Sequence, residues 1–130
     1  VDAFDADVLI YAAAEGHELG SRVLPLLLTD EVRVGSTMLL PELLAKPLRD
    51  GQEDEVIALG ELLGTLSLLP CTETVGELAA VLAAQYGLRP MDAVHLATAV
   101  DAGADRFITN NSRDFDSRIV EIDVVRPGQL

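Results

Sequence analysis

The chain has 130 residues, 49% of them apolar, with 22 acidic against 9 basic side chains for a net charge of −13. That length and apolar share describe one globular domain able to bury a core, and the acidic balance excludes a simple nucleic-acid coat protein, which grips phosphate with Lys and Arg. No apolar run reaches the roughly 20 residues that cross a bilayer, and a single cysteine, Cys71, excludes an internal disulfide and a cysteine-rich zinc site.

Residues 2–5 read as a short buried strand, and Val8, Leu9, Ala12 and Ala13 give helical spacing over about 7–14. Asp2, Asp5 and Asp7 stand where a signal peptide would need a basic start and an apolar stretch, so a cytoplasmic location is expected. A second helix covers 18–29 with Pro25 inside the pattern, either near the first turn of a shorter helix or kinking a longer one. His17, in a Gly-flanked loop, is expected to face water. Residues 32–36 form the second strand, and Ser36 or Thr37 can cap the helix that carries Glu42 and ends near Pro47. An amphipathic helix covers 50–66, with Glu53, Asp54 and Glu55 as a solvated first turn that suits the helix dipole. Residues 67–70 form a third strand, and Cys71 behind it reads as a buried thiol. A helix over 74–86 stops at Gly87, and Pro90 opens the next, which runs to about 102. Residues 106–109 and 119–124 give the fourth and fifth strands.

Strands alternating with helices imply βαβ units and a mostly parallel sheet of four to five strands covered on both faces. In such sheets, sites form beyond the carboxyl ends of the strands, where the strand order reverses. Asp5, Glu42 and the loop 109–114 all fall at that kind of position, and Asp92 can join them from a helix start. Gathered carboxylates repel one another and lose water, so a fold that collects them calls for a cation. Oxygen donors without sulfur suit Mg²⁺ or Mn²⁺. Asp5 reads as a metal ligand and Asp7 as a helix cap; Glu42, among leucines, reads as buried and facing the site. Lys46, four residues on, can form a weak helix pair with Glu42. His95, three residues past Asp92, reads as a packed, locally hydrogen-bonded histidine.

These residues resemble the PIN-domain family, and among them the VapC-type toxins of bacterial toxin–antitoxin pairs. The strand ending in Asp5, the Pro41-Glu42 helix, Met91-Asp92-Ala93-Val94-His95-Leu96-Ala97-Thr98-Ala99 and Phe107-Ile108-Thr109-Asn110-Asn111 recur in the family's order over nearly the whole chain. The resemblance implies a three-layer α/β/α sandwich and an Mg²⁺- or Mn²⁺-dependent ribonuclease whose acids are Asp5, Glu42 and Asp92. The family's fourth acid falls on Asn111, which contributes no charge; Asp114 can supply the missing carboxylate. Thr109 and Asn111 would orient the loop or a water, and Arg113, Lys46 and Arg49 are candidate phosphate contacts. As partners, the resemblance implies an RNA substrate, a basic antitoxin segment among the carboxylates, and a second copy of the chain; Leu59, Leu62 and Leu63 either supply a face for that copy or belong to the core.

Two rivals stand beside this reading. Phe4-Asp5-Ala6-Asp7-Val8 also resembles the nucleophile motif of haloacid-dehalogenase-like phosphatases, but the only lysine, Lys46, precedes Thr109, which breaks that family's order. A non-catalytic PIN-like binding module would suit the −13 charge and Asn111.

Overall fold

Five short strands, β1 (Asp2–Phe4), β2 (Arg33–Ser36), β3 (Ser67–Leu69), β4 (Arg106–Ile108) and β5 (Asp123–Val125), form one sheet in the order β3-β2-β1-β4-β5 in the computed structural model, which describes residues 1–130. Every pairing is parallel. Six helices connect them: α1 (Ala6–Ala13), α2 (Glu18–Leu27), α3 (Leu39–Arg49), α4 (Glu53–Leu63), α5 (Glu73–Tyr86) and α6 (Pro90–Asp101).

Successive strand side chains point to opposite faces, and here that alternation divides the core in two. Ala3, Val34 and Phe107 pack beneath α5 and α6 against Val75, Leu82, Ala93 and Leu96. Phe4 and Ile108 face the other way, toward Val8, Leu9, Val23, Leu39 and Leu59 of α1 to α4. The result is the α/β/α sandwich. Phe4, Phe107 and Ile108 are at most 1% exposed, so each contributes roughly 1.5–3 kcal/mol of burial. Phe115, beyond β4, meets Phe107 edge-on at 5.1 Å and pins the following loop to the sheet.

Close approach explains two glycines. A Cβ on Gly20 would sit 2.0 Å from the Tyr11 carbonyl oxygen, so α2 can cross α1 only with glycine there. Gly87 closes α5 at φ +68°, the left-handed conformation expected of a helix stop.

Several boundaries differ from the sequence reading. Pro25 lies in the last turn of α2, which ends at Leu27; lacking an N–H, it leaves the Ser21 carbonyl, one turn back, without its helical donor. Helix α3 continues past Pro47 to Arg49, because Leu39, Leu43 and Pro47 recur at four-residue spacing and all are buried. Helix α4 is shorter than 50–66, starting behind Gly51 at φ +67° and stopping before Gly64. Strand β5 begins only at Asp123; Ile119 and Ile122 are buried by packing rather than by strand pairing. Cys71 is exposed, not buried, since β3 ends two residues earlier at a sheet edge. Leu59, Leu62 and Leu63 are core residues and offer no free face to a second copy. No helix is long and apolar enough to cross a membrane.

Candidate metal centre

Sequence order runs from β1 outward to β3, then jumps back across to β4 beside β1. The carboxyl ends of β1 and β4 therefore flank the point where strand order reverses, the usual crevice of an open parallel sheet. Asp5 is the first residue past β1. Its amide donates to the Ile108 carbonyl at 3.0 Å, so the two strand ends stay bonded to the rim of the site. The Asp5 carboxylate accepts from the Ala6 amide and from the Thr109 hydroxyl, each at 2.8 Å. Asp5 is thus the residue that caps α1, the role expected of Asp7. The reversal follows from β1 ending at Phe4, one residue early.

Asp7 instead lies in the first turn of α1 and accepts the Asn110 amide at 3.0 Å, tying α1 to the loop after β4. Its other oxygen, Oδ1, is buried without a partner. Burial, reinforced by the charge of Asp5, pushes the Asp7 carboxyl up to about 7. Burial likewise raises the Asp5 carboxyl above the usual carboxylate range, with the Thr109 hydroxyl opposing it.

Asp92 arrives from the first turn of α6, placed by Pro90 at the helix start. Burial raises its carboxyl too; Arg89 opposes the shift, while Asp114 and Glu42 add to it. Asp92 Oδ2 is buried and makes no hydrogen bond; its contact with Arg89 Nε is an ion pair at 3.5 Å. Asp114 is held by Asn111, whose Nδ2 donates to Asp114 Oδ2 at 2.9 Å and whose Oδ1 accepts the Asp114 amide at 3.2 Å. The Asn111 amide in turn donates to Thr109 Oγ1 at 3.1 Å. At the position where an acid is expected, this chain has an amide that fixes the acid three residues on.

Glu42 reaches the same region from α3. It is not buried, its side chain being 32% exposed, but its Oε2 meets Nε2 of the fully buried His95. His95 Nδ1 has no partner. The sequence reading of His95 as locally bonded is therefore corrected: its partner lies 53 residues away, on another helix. This contact and the reach of Arg89 were not legible, because each depends on how separate elements pack.

The remaining candidates stay outside the cluster. Lys46 is exposed and forms no ion pair, with Glu42 or otherwise; Arg49 pairs with its neighbour Asp50 at 3.1 Å; Arg113 is exposed and unpaired. Ser36 accepts the Met38 amide at 3.0 Å, one residue ahead of α3, instead of capping the helix itself. His17 caps α2 through Nδ1 and stacks on Tyr11 at 4.5 Å rather than simply facing water. The largest surface depression runs along β5 from Ser112 to Gln129 and is lined by none of the four acids.

Asp5, Asp92, Glu42 and Asp114 are all-oxygen donors that could hold a hard divalent cation. Buried carboxylate oxygens without donors and carboxyls pushed upward are what such a group of acids shows when only its own charges are present. No three of the side chains form a ready-made chelate. Arg89 stands on Oδ2 of both Asp92 and Asp114, so an ion taking those oxygens would have to displace it, whereas His95 holds Glu42 by Oε2 alone and leaves Oε1 free.

The comparisons agree with this architecture. The sequence pattern of the PIN domain matches residues 3–119. A toxin–antitoxin complex from Klebsiella pneumoniae contains a chain with the same fold, at TM-score 0.78 and 22% identity with all of both chains covered. VapBC2 from Rickettsia felis, bound to a DNA fragment from its promoter, matches at 0.77 and 19%, covering 96% of this chain and 97% of the other. FitAcB from Neisseria gonorrhoeae matches at 0.68 and 20%, with both chains fully covered. No curated protein matches the chain. With nearly its whole length matched, the chain belongs to the PIN domain family.

Proposed function

We propose that this chain is a metal-dependent endoribonuclease and the toxin of a toxin–antitoxin pair. PIN domain nucleases are hydrolases acting on phosphodiester bonds. The observation that carries the reading is a pair of buried carboxylate oxygens without partners, Asp92 Oδ2 and Asp7 Oδ1, at the carboxyl edge of the sheet, where Asp92 feels the charges of Asp114 and Glu42. The likeness to chains from toxin–antitoxin complexes supports the biological assignment. A cytoplasmic location belongs to the same reading.

Asp5 and Asp92 would anchor Mg²⁺ or Mn²⁺, with Glu42 and Asp114 completing the set directly or through water. When bound, the ion supplies charge stabilisation at the phosphate and lowers the pKa of a water. Thr109 fixes Asp5 by donating to its Oδ2, which holds that carboxylate toward the crevice. His95 holds Glu42 by Oε2, leaving Oε1 to take the proton of the attacking water. Asn111 holds Asp114 at two points and so sets the far side of the site without adding charge. The −13 charge leaves few cations to bind RNA, and the same field would draw a basic antitoxin segment toward the acids.

The absence of a ready-made chelate favours one other reading, a PIN-like module kept for association. Cleavage of a labelled single-stranded RNA with Mn²⁺ by wild type, Asp5→Asn and Asp92→Asn separates the two. Metal-dependent cleavage by wild type, lost in both folded variants, is expected; unchanged cleavage by both variants refutes the assignment.

A further inference from the structure

Arg89 is the cation that bridges the acids. Its Nε lies 3.5 Å from Asp92 Oδ2 and its Nη2 3.6 Å from Asp114 Oδ2, so a single guanidinium spans α6 and the loop after β4. Both distances exceed a good charge-assisted hydrogen bond, about 2.7–2.9 Å. The hold is therefore Coulombic and loose. The side chain is 79% exposed, so it is already largely hydrated and swinging it outward carries no desolvation cost. Its backbone is fixed: Arg89 is the residue before α6, in extended conformation at φ −68°, ψ 154° and followed by Pro90, which disfavours helical geometry in its predecessor. The structure places this long side chain inward on the carboxylates, on a fixed base beside the crevice.

We propose that Arg89 is a built-in counter-cation that a divalent ion displaces, and that once displaced it contacts the substrate phosphate. The phosphate role rests on the nuclease reading; the displacement does not. The two parts share one cause. Arg89 stands on Oδ2 of both Asp92 and Asp114, so a divalent ion drawn to the same oxygens repels it, and a displaced guanidinium at the crevice mouth is the donor fork that fits a phosphodiester. The cations named from sequence fit this less well. Arg49 is already paired, and neither Lys46 nor Arg113 makes an ion pair with the acids.

Two measurements on full-length protein test this. Calorimetry with Mn²⁺ alone compares wild type, Arg89→Ala and Arg89→Lys. Arg89→Ala should bind Mn²⁺ more tightly, on the order of five-fold, as expected from removing a nearby unit charge in a high-dielectric setting; Arg89→Lys keeps the charge and should stay near wild type. Steady-state cleavage of a labelled single-stranded RNA at saturating Mn²⁺ should then show KM raised about ten-fold or more in Arg89→Ala, from loss of a charge-assisted contact, and only partly restored in Arg89→Lys, with kcat changed less than KM. Equal or weaker Mn²⁺ binding by Arg89→Ala overturns the displacement, whatever RNA does. An unchanged KM overturns the phosphate contact. Wild type that binds Mn²⁺ yet cleaves no RNA refutes the nuclease reading and the phosphate contact together, while the calorimetry still decides the displacement.

Discussion

The two ends of the same strand pair handle charge in opposite ways. At the amino ends of β1 and β4, Asp2 and Arg106 face each other in register, and the guanidinium donates twice to the carboxylate, Nε and Nη2 each at 2.8 Å. Three residues along, past the carboxyl ends, Asp5, Asp7 and Asp92 draw together with two buried oxygens unpartnered and carboxyls raised by burial. One end is closed by a matched pair; the other holds an excess of negative charge that loosely held groups only partly offset. Stability alone favours the first arrangement, and the second is the pattern expected of a functional site.

The largest effects should come from the open end. Asp5→Asn and Asp92→Asn should lower metal-dependent RNA cleavage by more than about 100-fold, the upper end of what loss of an outer partner costs at a metal site, while circular dichroism reports an unchanged fold. His95→Leu should come next. It releases Glu42, and Mn²⁺ affinity should fall about 10- to 100-fold; His95→Gln, which can still donate near the Nε2 position, should recover part of it by the same calorimetry. Affinity equal to wild type in His95→Leu would show that Glu42 needs no positioning.

A smaller effect lies in pH. The Asp7 carboxyl is raised from 3.8 to about 7, so the folded chain binds more protons than the unfolded chain between those values. That contribution to stability is complete below 3.8 and is lost as pH rises through about 7. In EDTA, Tm of wild type should fall relative to Asp7→Asn across this window; saturating Mn²⁺, which favours the deprotonated cluster, should reverse the trend. A wild-type Tm that tracks the variant at every pH would contradict the burial argument.

The smallest effect belongs to the closed end. Arg106→Ala removes a partly exposed bidentate pair and should cost about 1–2 kcal/mol in denaturant unfolding. Mn²⁺ affinity should not move. Weaker metal binding in this variant would mean that the two ends are coupled through the strands.

The strands and helices were legible because their patterns are local. The apolar runs of β1 and β4 and the glycine and proline punctuation around α5 and α6 fix element type within a few residues. Boundaries were less legible where packing decides them: α3 passes Pro47 because its buried face continues, and Ile119 and Ile122 are apolar without being strand. Asp5, Glu42 and Asp92 could be named as candidates because the alternating pattern aims strand ends and helix starts at one edge; Asp114 enters only as the substitute for the acid that the family resemblance expects at Asn111. Their couplings could not be named. His95 meets Glu42 across 53 residues, and Arg89 reaches Asp114 across a helix and a strand. That Asp5 rather than Asp7 caps α1 turned on a one-residue difference in where β1 ends, finer than hydrophobic patterning can resolve.

The measurement closest to the centre of this account is a direct Mn²⁺ titration of the metal-free protein, read by the loss of the free-ion electron paramagnetic resonance signal, for wild type, Asp5→Asn and Asp92→Asn. Saturable binding by wild type that is lost in both variants is the predicted result. No saturable binding by wild type, or equal binding by all three proteins, would contradict a cation site at the carboxyl edge of the sheet.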